Sequence, residues 1–424
     1  MSSEFFNCTS YTTPCQHIRG FHHSTAHSQE EQLHIAIKKY TPLTQVDARS
    51  EGREQVTIIA CHALGTPKEL YEPLFDELYK AAEAPSSTWA VRSIWIADLA
   101  THGESGRLNE GKLGVDVCWD DHARDLLHMV NVFRDQMPQP LVGIGHSMGG
   151  QNIIQLSLLH PRLFAAVIPI EPIVNGAHDM KFYGSVIIIN RRDVWESREE
   201  AYATTSKGIL MRNWNRRVLE RWKQYGFRDL PTLLYPEAPK EITAKASKNA
   251  TTPVTLASTK HHEAHGLARH AYPAPDQPLE SFTPAAPSHA DLTKEEHAQM
   301  KAPFYRPEAV LTARQLPLMR PLCLYIWGGK SIFSSATPKS RKEKLEQTGT
   351  APGGSGGVKT NSVAEIVLEN EGHFVPFEKP ELVARAVHGW LGPMLQRWRE
   401  EHSVLDKIKA ELDPREMAMV GEDW

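Results

Sequence analysis

Pro140-Leu-Val-Gly-Ile-Gly145-His-Ser147-Met-Gly149-Gly150 is the stretch whose reading decides the fold. Its first half is an apolar run suited to a buried strand, and residues 151–159 behind it are helical in pattern. Gly145-His146-Ser147-Met148-Gly149 therefore joins strand to helix directly and matches G-x-S-x-G in the context that motif requires. A turn this tight strains the backbone at Ser147 and brings neighbouring atoms into the space of any Cβ, so glycines are needed at 145 and 149. The serine oxygen is then expected at the carboxyl edge of the sheet, at the positive end of the following helix. A glycine-rich turn with an incidental serine is the competing reading.

Outward from this turn, strands and helices alternate. Residues 33–40 alternate apolar and polar, while 55–61, 92–98 and 165–171 read as further strands. Residues 117–133 carry apolar side chains at helical spacing until Pro138 stops them. The rhythm breaks from about Pro172 to Pro321, then resumes with a strand at 322–327, a helix at 338–347, a strand at 363–368 and a helix through Trp390. The pattern predicts an α/β fold: a mostly parallel central sheet with helices on both faces and a large lid insertion. The insertion of roughly 150 residues holds one helical stretch, 201–225, followed by chain rich in Pro, Thr, Ala and His; inserts of that size serve as lids or binding elements. The expected division is an irregular N-terminal arm (1–30), a first core part (31–172), the lid (173–320), a second core part (321–398) and a C-terminal helical tail (399–424).

Composition narrows the function. Among 424 residues, 47 are Lys or Arg and 51 Asp or Glu, a formal net charge of −4. Without a basic excess, neither nucleic acid nor an anionic membrane is expected as the main partner. No apolar run approaches the roughly 20 residues that span a bilayer. Met1-Ser-Ser-Glu-Phe-Phe has neither the basic start nor the apolar core of a secretory signal, so cytoplasmic residence is expected. Five cysteines without a CxxC fit a reducing compartment better than a disulfide scaffold or structural zinc. The expected partner is a small molecule, with no metal or cofactor, and a homodimer stays open.

A serine hydroxyl needs a base to become a nucleophile. His373, in Glu371-Gly-His-Phe after the last core strand, stands where such a fold delivers one. His146 is expected to pack beneath the serine. The acid commonly follows the strand after the insertion, but Gly328-Gly-Lys-Ser-Ile-Phe333 offers no carboxylate. Glu171, 171 − 147 = 24 residues past the serine, ends the preceding strand. Strands of a parallel sheet end on one side, so it is the first candidate; a strand cap or salt bridge to the lid is its other reading, and Asp179 is the reserve. Backbone N–H groups of Met148 and of Leu64, in His62-Ala-Leu-Gly65, are the expected oxyanion donors. The turn 98–105 is expected to pack beside the site.

Three other signals are set aside. Gly328-Gly-Lys-Ser331 lacks the first glycine of a phosphate-binding loop, Leu324 standing in its place. His261-His-Glu-Ala-His265 reads as a solvated loop rather than a metal site. The basic helix carrying Arg212, Arg216, Arg217, Arg221 and Lys223 reads as a solvated face, with a phosphorylated carrier such as coenzyme A as the alternative.

Gly-His-Ser-Met-Gly-Gly together with the late Gly-His-Phe resembles the α/β-hydrolase superfamily. Pro67-Lys-Glu-Leu-Tyr-Glu-Pro73, Asp121-His-Ala-Arg-Asp125, Asp193-Val-Trp-Glu-Ser-Arg198 and Phe227-Arg-Asp-Leu-Pro231 are similar to fungal secondary-metabolite hydrolases related to the mycophenolic-acid acyl-CoA hydrolase and the host-selective-toxin hydrolases. This resemblance runs from about residue 33 to 400. It implies a triad matching Ser147, Glu171 and His373, and cleavage of a thioester or ester, acyl-CoA included, of a large, largely apolar metabolite. A general carboxylesterase, or a silent hydrolase fold that binds a ligand, are the alternatives. The family acid is typically aspartate, one methylene shorter than Glu171. The resemblance also implies peroxisomal residence as an alternative, although Glu422-Asp423-Trp424 does not match the usual tripeptide.

Overall fold

Side chains on a strand alternate between its two faces, so a strand that is apolar throughout must be covered on both. In the computed structural model, which describes residues 2–44, 52–175, 183–270 and 304–411 with 413, 415 and 419, eight strands form one sheet whose central members are buried on both faces. They are β1 (Phe6–Pro14), β2 (His34–Pro42), β3 (Glu54–Cys61), β4 (Trp89–Ala97), β5 (Leu141–His146), β6 (Ala166–Ile170), β7 (Leu322–Gly328) and β8 (Val363–Leu368). Their order is β1-β2-β4-β3-β5-β6-β7-β8. The β1–β2 and β2–β4 pairs are antiparallel and all others parallel.

The alternation appears directly on β7. Leu322, Leu324 and Ile326 join one apolar cluster, with Leu74 and Phe75 of helix Glu72–Ala82 and Val383 and Val387 of helix Pro380–Glu411. Cys323, Tyr325 and Trp327 join the other, with Leu126 and Met129 of helix Trp119–Val132 and Ile153 and Leu156 of helix Met148–Leu159. Helices thus cover both faces of a mostly parallel sheet. The insertion between β6 and β7 is partly welded to the first cluster through Trp195, Trp214 and Trp222. Among the described residues, no helix is long and apolar enough to cross a membrane.

Four expectations need correction. Residues 1–30 are not irregular throughout, because Phe6–Pro14 pairs with β2 from Phe6↔Pro42 to Pro14↔His34, while 15–30 are largely the irregular chain expected. An edge strand is held by its ladder and needs few apolar side chains, so a Ser/Thr-rich string with Phe6 and Thr13 buried suffices. Residues 399–411 do not start a separate tail, since helix Pro380–Glu411 crosses residue 399 without a break. The stretch 201–225 is two helices, Arg198–Thr205 and Arg216–Tyr225, the second starting where the Asn215 side chain accepts the Arg217 N–H at 3.0 Å. Residues 261–265 are not a solvated loop but lie on helix Lys260–Leu267, capped by Thr259 accepting the His262 N–H at 3.1 Å.

The basic helix is also occupied. Arg217 pairs with Asp76 and Glu77, and Arg221 with Glu72, so these cations clamp the insertion onto helix Glu72–Ala82. Arg212 and Arg216, by contrast, are exposed, as a solvated face requires.

Burial pushes the imidazoles of His62, His102, His122 and His146 below their ordinary value. Among the described residues, neither ring nitrogen of His122 has a hydrogen-bond partner. The unfolded chain takes up a proton there below about pH 6.5 that the folded chain refuses, so the stability involved is present above that pH and lost as pH falls. His122→Phe is expected to remove this loss, about 1.4 kcal/mol per pH unit below roughly pH 6. Denaturant midpoints near pH 7.5 and pH 5.5 check it: the variant should gain on the wild type only at the acid end.

Candidate active site

β5 ends at His146 and helix Met148–Leu159 starts two residues later, leaving Ser147 at the turn with φ 59° and ψ −118°. A Cβ on Gly145 would lie 2.1 Å from the Gly149 carbonyl oxygen, and one on Gly149 would lie 2.3 Å from that of Cys61. Only glycine fits either place, which is the steric demand read from the motif. The Ser147 N–H donates to Ile170 at 2.9 Å, tying the turn to the end of β6.

Ser147, Glu171 and His373 converge from β5, β6 and the loop after β8. His373 Nε2 lies 2.9 Å from Ser147 Oγ, and its Nδ1 lies 3.0 Å from Glu171 Oε2. All three are buried, Ser147 the least so at 8% exposed. Glu171 takes a positive φ of 49° directly past β6 and donates its N–H to Ile326 at 2.8 Å. Its carboxylate reaches across to the end of β7, where the Gly328 N–H donates to Oε1 at 2.6 Å and the Ser331 hydroxyl to Oε2 at 2.5 Å. The post-insertion strand, which offers no carboxylate of its own, supplies the donors that hold this one. The longer glutamate side chain suits that reach. Asp179 lies outside the described residues.

His146 packs beside His373 rather than on the serine. Its Nε2 is 2.9 Å from the His373 carbonyl oxygen, which only accepts, so Nε2 carries the proton and Nδ1 accepts the Tyr71 hydroxyl at 2.8 Å. Tyr71 accepts the Ala63 N–H in turn, at 2.9 Å. Burial holding His146 well below its ordinary pKa keeps the ring neutral, as this relay needs. On the same turn His62 Nδ1 donates to the Ala63 carbonyl at 2.8 Å, and Nε2 accepts the Leu99 N–H at 2.9 Å. With the Ala63 N–H engaged, that of Leu64 is next along the turn. Leu64 and Met148 meet in one apolar cluster with Leu99, Trp119, Ile173, Ala309 and Phe333. In the turn 98–105, Asp98 is fully buried and accepts from both the N–H and Nζ of Lys68.

Residues 58–386 match the model of the alpha/beta hydrolase family. The chain belongs to that family. This hydrolase is 39% identical over 432 residues to the type I acyl-CoA thioesterase mpaH' of Penicillium brevicompactum, an overlap spanning 100% of this chain and 95% of that protein. It is 24% identical over 290 residues to the abhydrolase domain-containing protein AFT2-1 of Alternaria alternata, covering 65% of this chain and 96% of the relative. The fold resembles the solved structure of the peroxisomal alpha-beta-hydrolase Lpx1 from Saccharomyces cerevisiae, with a TM-score of 0.67, 17% identity and coverage of 98% and 99%.

Reading the hydrolase from its sequence missed Ser331. It stands in the Gly328-Gly-Lys-Ser331 string after the post-insertion strand, where the missing carboxylate is the signal that donors to Glu171 could be found. Ser331→Ala should lower kcat by about 10-fold with little change in KM, since one of the donors fixing Glu171 is lost. Ser331→Thr, which keeps the hydroxyl, should recover most of it in the same steady-state assay. Among the described residues, no group of three or more His, Cys, Asp or Glu could hold a metal ion.

Proposed function

We propose that this alpha/beta hydrolase is a serine thioesterase that releases a large, largely apolar acid from its coenzyme A thioester. The observation carrying the proposal is the unbroken chain Ser147 Oγ–His373–Glu171, at 2.9 and 3.0 Å. Nε2 of His373 takes the Ser147 proton as Oγ attacks the thioester carbonyl, and Glu171 at Nδ1 holds the tautomer that leaves Nε2 free to accept. The carbonyl oxygen becomes an oxyanion, facing the N–H groups of Met148 and Leu64. The C–S bond then breaks, His373 returns the proton to the departing thiolate, and Ser147 is left acylated. Water deprotonated by His373 next attacks the acyl-enzyme, giving the free acid and restoring the serine. An aspartate would replace the serine in dehalogenase or epoxide-hydrolase chemistry.

The thioester preference is supported by full-length likeness to a type I acyl-CoA thioesterase. The apolar acyl group is supported by the cluster of Leu64, Leu99, Trp119, Met148 and Ile173. Residence in a reducing compartment, the cytoplasm first, is supported by five cysteines that are all free thiols. The deciding experiment compares CoA thioesters with p-nitrophenyl esters of matched acyl chains, alongside labelling by a fluorophosphonate. Labelling and a higher kcat/KM on thioesters are expected. Equal turnover of both series would make the protein a general esterase, and no labelling with no turnover would leave only a ligand-binding role.

A further inference from the structure

Against the turn assigned to the oxyanion lies a charge pair that the chemistry above does not use. Glu263, on helix Lys260–Leu267 of the insertion, is 8% exposed. Both terminal nitrogens of Arg191 donate to its carboxylate, Nη1 to Oε1 at 3.3 Å and Nη2 to Oε2. Arg191 follows helix Tyr183–Asn190, and Lys260 pairs with Asp193 at 3.1 Å, so the two segments are stitched together. The far end of helix Lys260–Leu267 is fastened as well, with Trp119 Nε1–H donating to Gly266 and Arg306 Nη2 to His265, each at 2.6 Å.

Held in this way, the helix rests on the turn His62–Gly65. Gly65 has φ 76°, and a Cβ there would begin 2.6 Å from the carboxyl carbon of Glu263 and 2.7 Å from Oε1. A Cβ on Gly266 would begin 2.5 Å from Leu64 Cδ1. A carboxylate therefore sits against the residue next to the Leu64 amide. Alone, its charge would oppose the negative charge that develops on the substrate oxygen, and in a buried site such opposition is poorly screened.

We propose that Arg191 is a positioning residue for the hydrolytic reaction: it neutralises Glu263, which the insertion helix holds beside the oxyanion turn. This rests on the serine-hydrolase reading and on Leu64 as an oxyanion donor. Arg191 and Glu263 belong to the insertion while the turn belongs to the sheet domain. The electrostatic state of the oxyanion site is thereby tied to the seating of the insertion.

The test uses the full chain and steady-state kinetics on whichever CoA thioester or p-nitrophenyl ester the wild type hydrolyses. Arg191→Gln should lower kcat by about 10- to 100-fold while KM moves less than roughly 3-fold, because the defect lies in the transition state. Adding Glu263→Gln to that variant should restore most of the loss, and Arg191→Lys should retain most of the activity. A double variant as slow as Arg191→Gln, or an Arg191→Gln with unchanged kcat, overturns the proposal. Should Arg191→Gln not fold, Glu263→Gln alone decides. It leaves a cation beside the turn, so a kcat no lower than about one third of wild type supports the proposal and a fall beyond about 10-fold, as a mere packing clamp would give, overturns it. A wild type with no Ser147-dependent turnover sinks the hydrolase reading and this proposal together. Turnover without rescue in the double variant sinks this proposal alone.

Discussion

Ser147→Ala is expected to cut kcat by on the order of 10⁶-fold while the protein folds as before. The substitution keeps the Cβ and removes only Oγ, so the strained backbone at φ 59° and the glycine packing around it are untouched. What disappears is the atom 2.9 Å from His373 Nε2, and with it the acyl-enzyme. Residual turnover, from direct attack of water assisted by the oxyanion site, should show neither a burst nor a covalent adduct by intact-mass measurement. A variant that still acylates at residue 147's neighbours, or that keeps wild-type turnover, would remove the proposed mechanism.

Glu171→Gln should have the next largest effect, a loss of about 10³- to 10⁴-fold in kcat. Among the described residues the carboxylate is approached only by donors: the Gly328 N–H at Oε1, and the Ser331 hydroxyl and His373 Nδ1 at Oε2. An amide has one oxygen to offer, and the backbone donor of Gly328 cannot turn away, so the oxygen goes there and the NH₂ faces His373. Nδ1 then accepts, the proton moves to Nε2, and the ring can no longer take one from Ser147. Glu171→Asp keeps the charge but draws it back by one methylene from Gly328 and Ser331, and about a 10-fold loss is expected from that misplacement. Kinetics on the same substrate, with thermal unfolding as a check on the fold, separate the two variants. Equal losses would show that charge and tautomer are not the issue.

The parts legible in the sequence were those whose causes are local or periodic. Gly145 and Gly149 announce a turn that no other residue fits, and the continuous apolar runs at 55–61, 141–146 and 322–327 announce strands covered on both faces. Glu171 could be singled out because parallel strands end on one side, which turns a chain position into a place in space. β1 was not legible, since its strand character comes from the ladder to β2 and not from its own Ser/Thr-rich side chains. Helix Lys260–Leu267 was hidden because its histidines look solvated, while its buried Glu263 is tolerated only through Arg191, 263 − 191 = 72 residues away.

By itself, then, the order of residues determined the central strands and the elbow and narrowed the candidates to Ser147, His373 and an acid left between Glu171 and Asp179, because steric exclusion and hydrophobic alternation act between near neighbours in the chain. Only the tertiary structure decided how those side chains are held. The Gly328 and Ser331 donors on Glu171, the Tyr71–His146 relay behind His373, and the Arg191–Glu263 pair on Gly65 all join residues dozens to hundreds of positions apart. Hydrogen bonds and ion pairs have force only within a few ångströms, and it is the packed fold, not spacing along the chain, that brings such groups within that range.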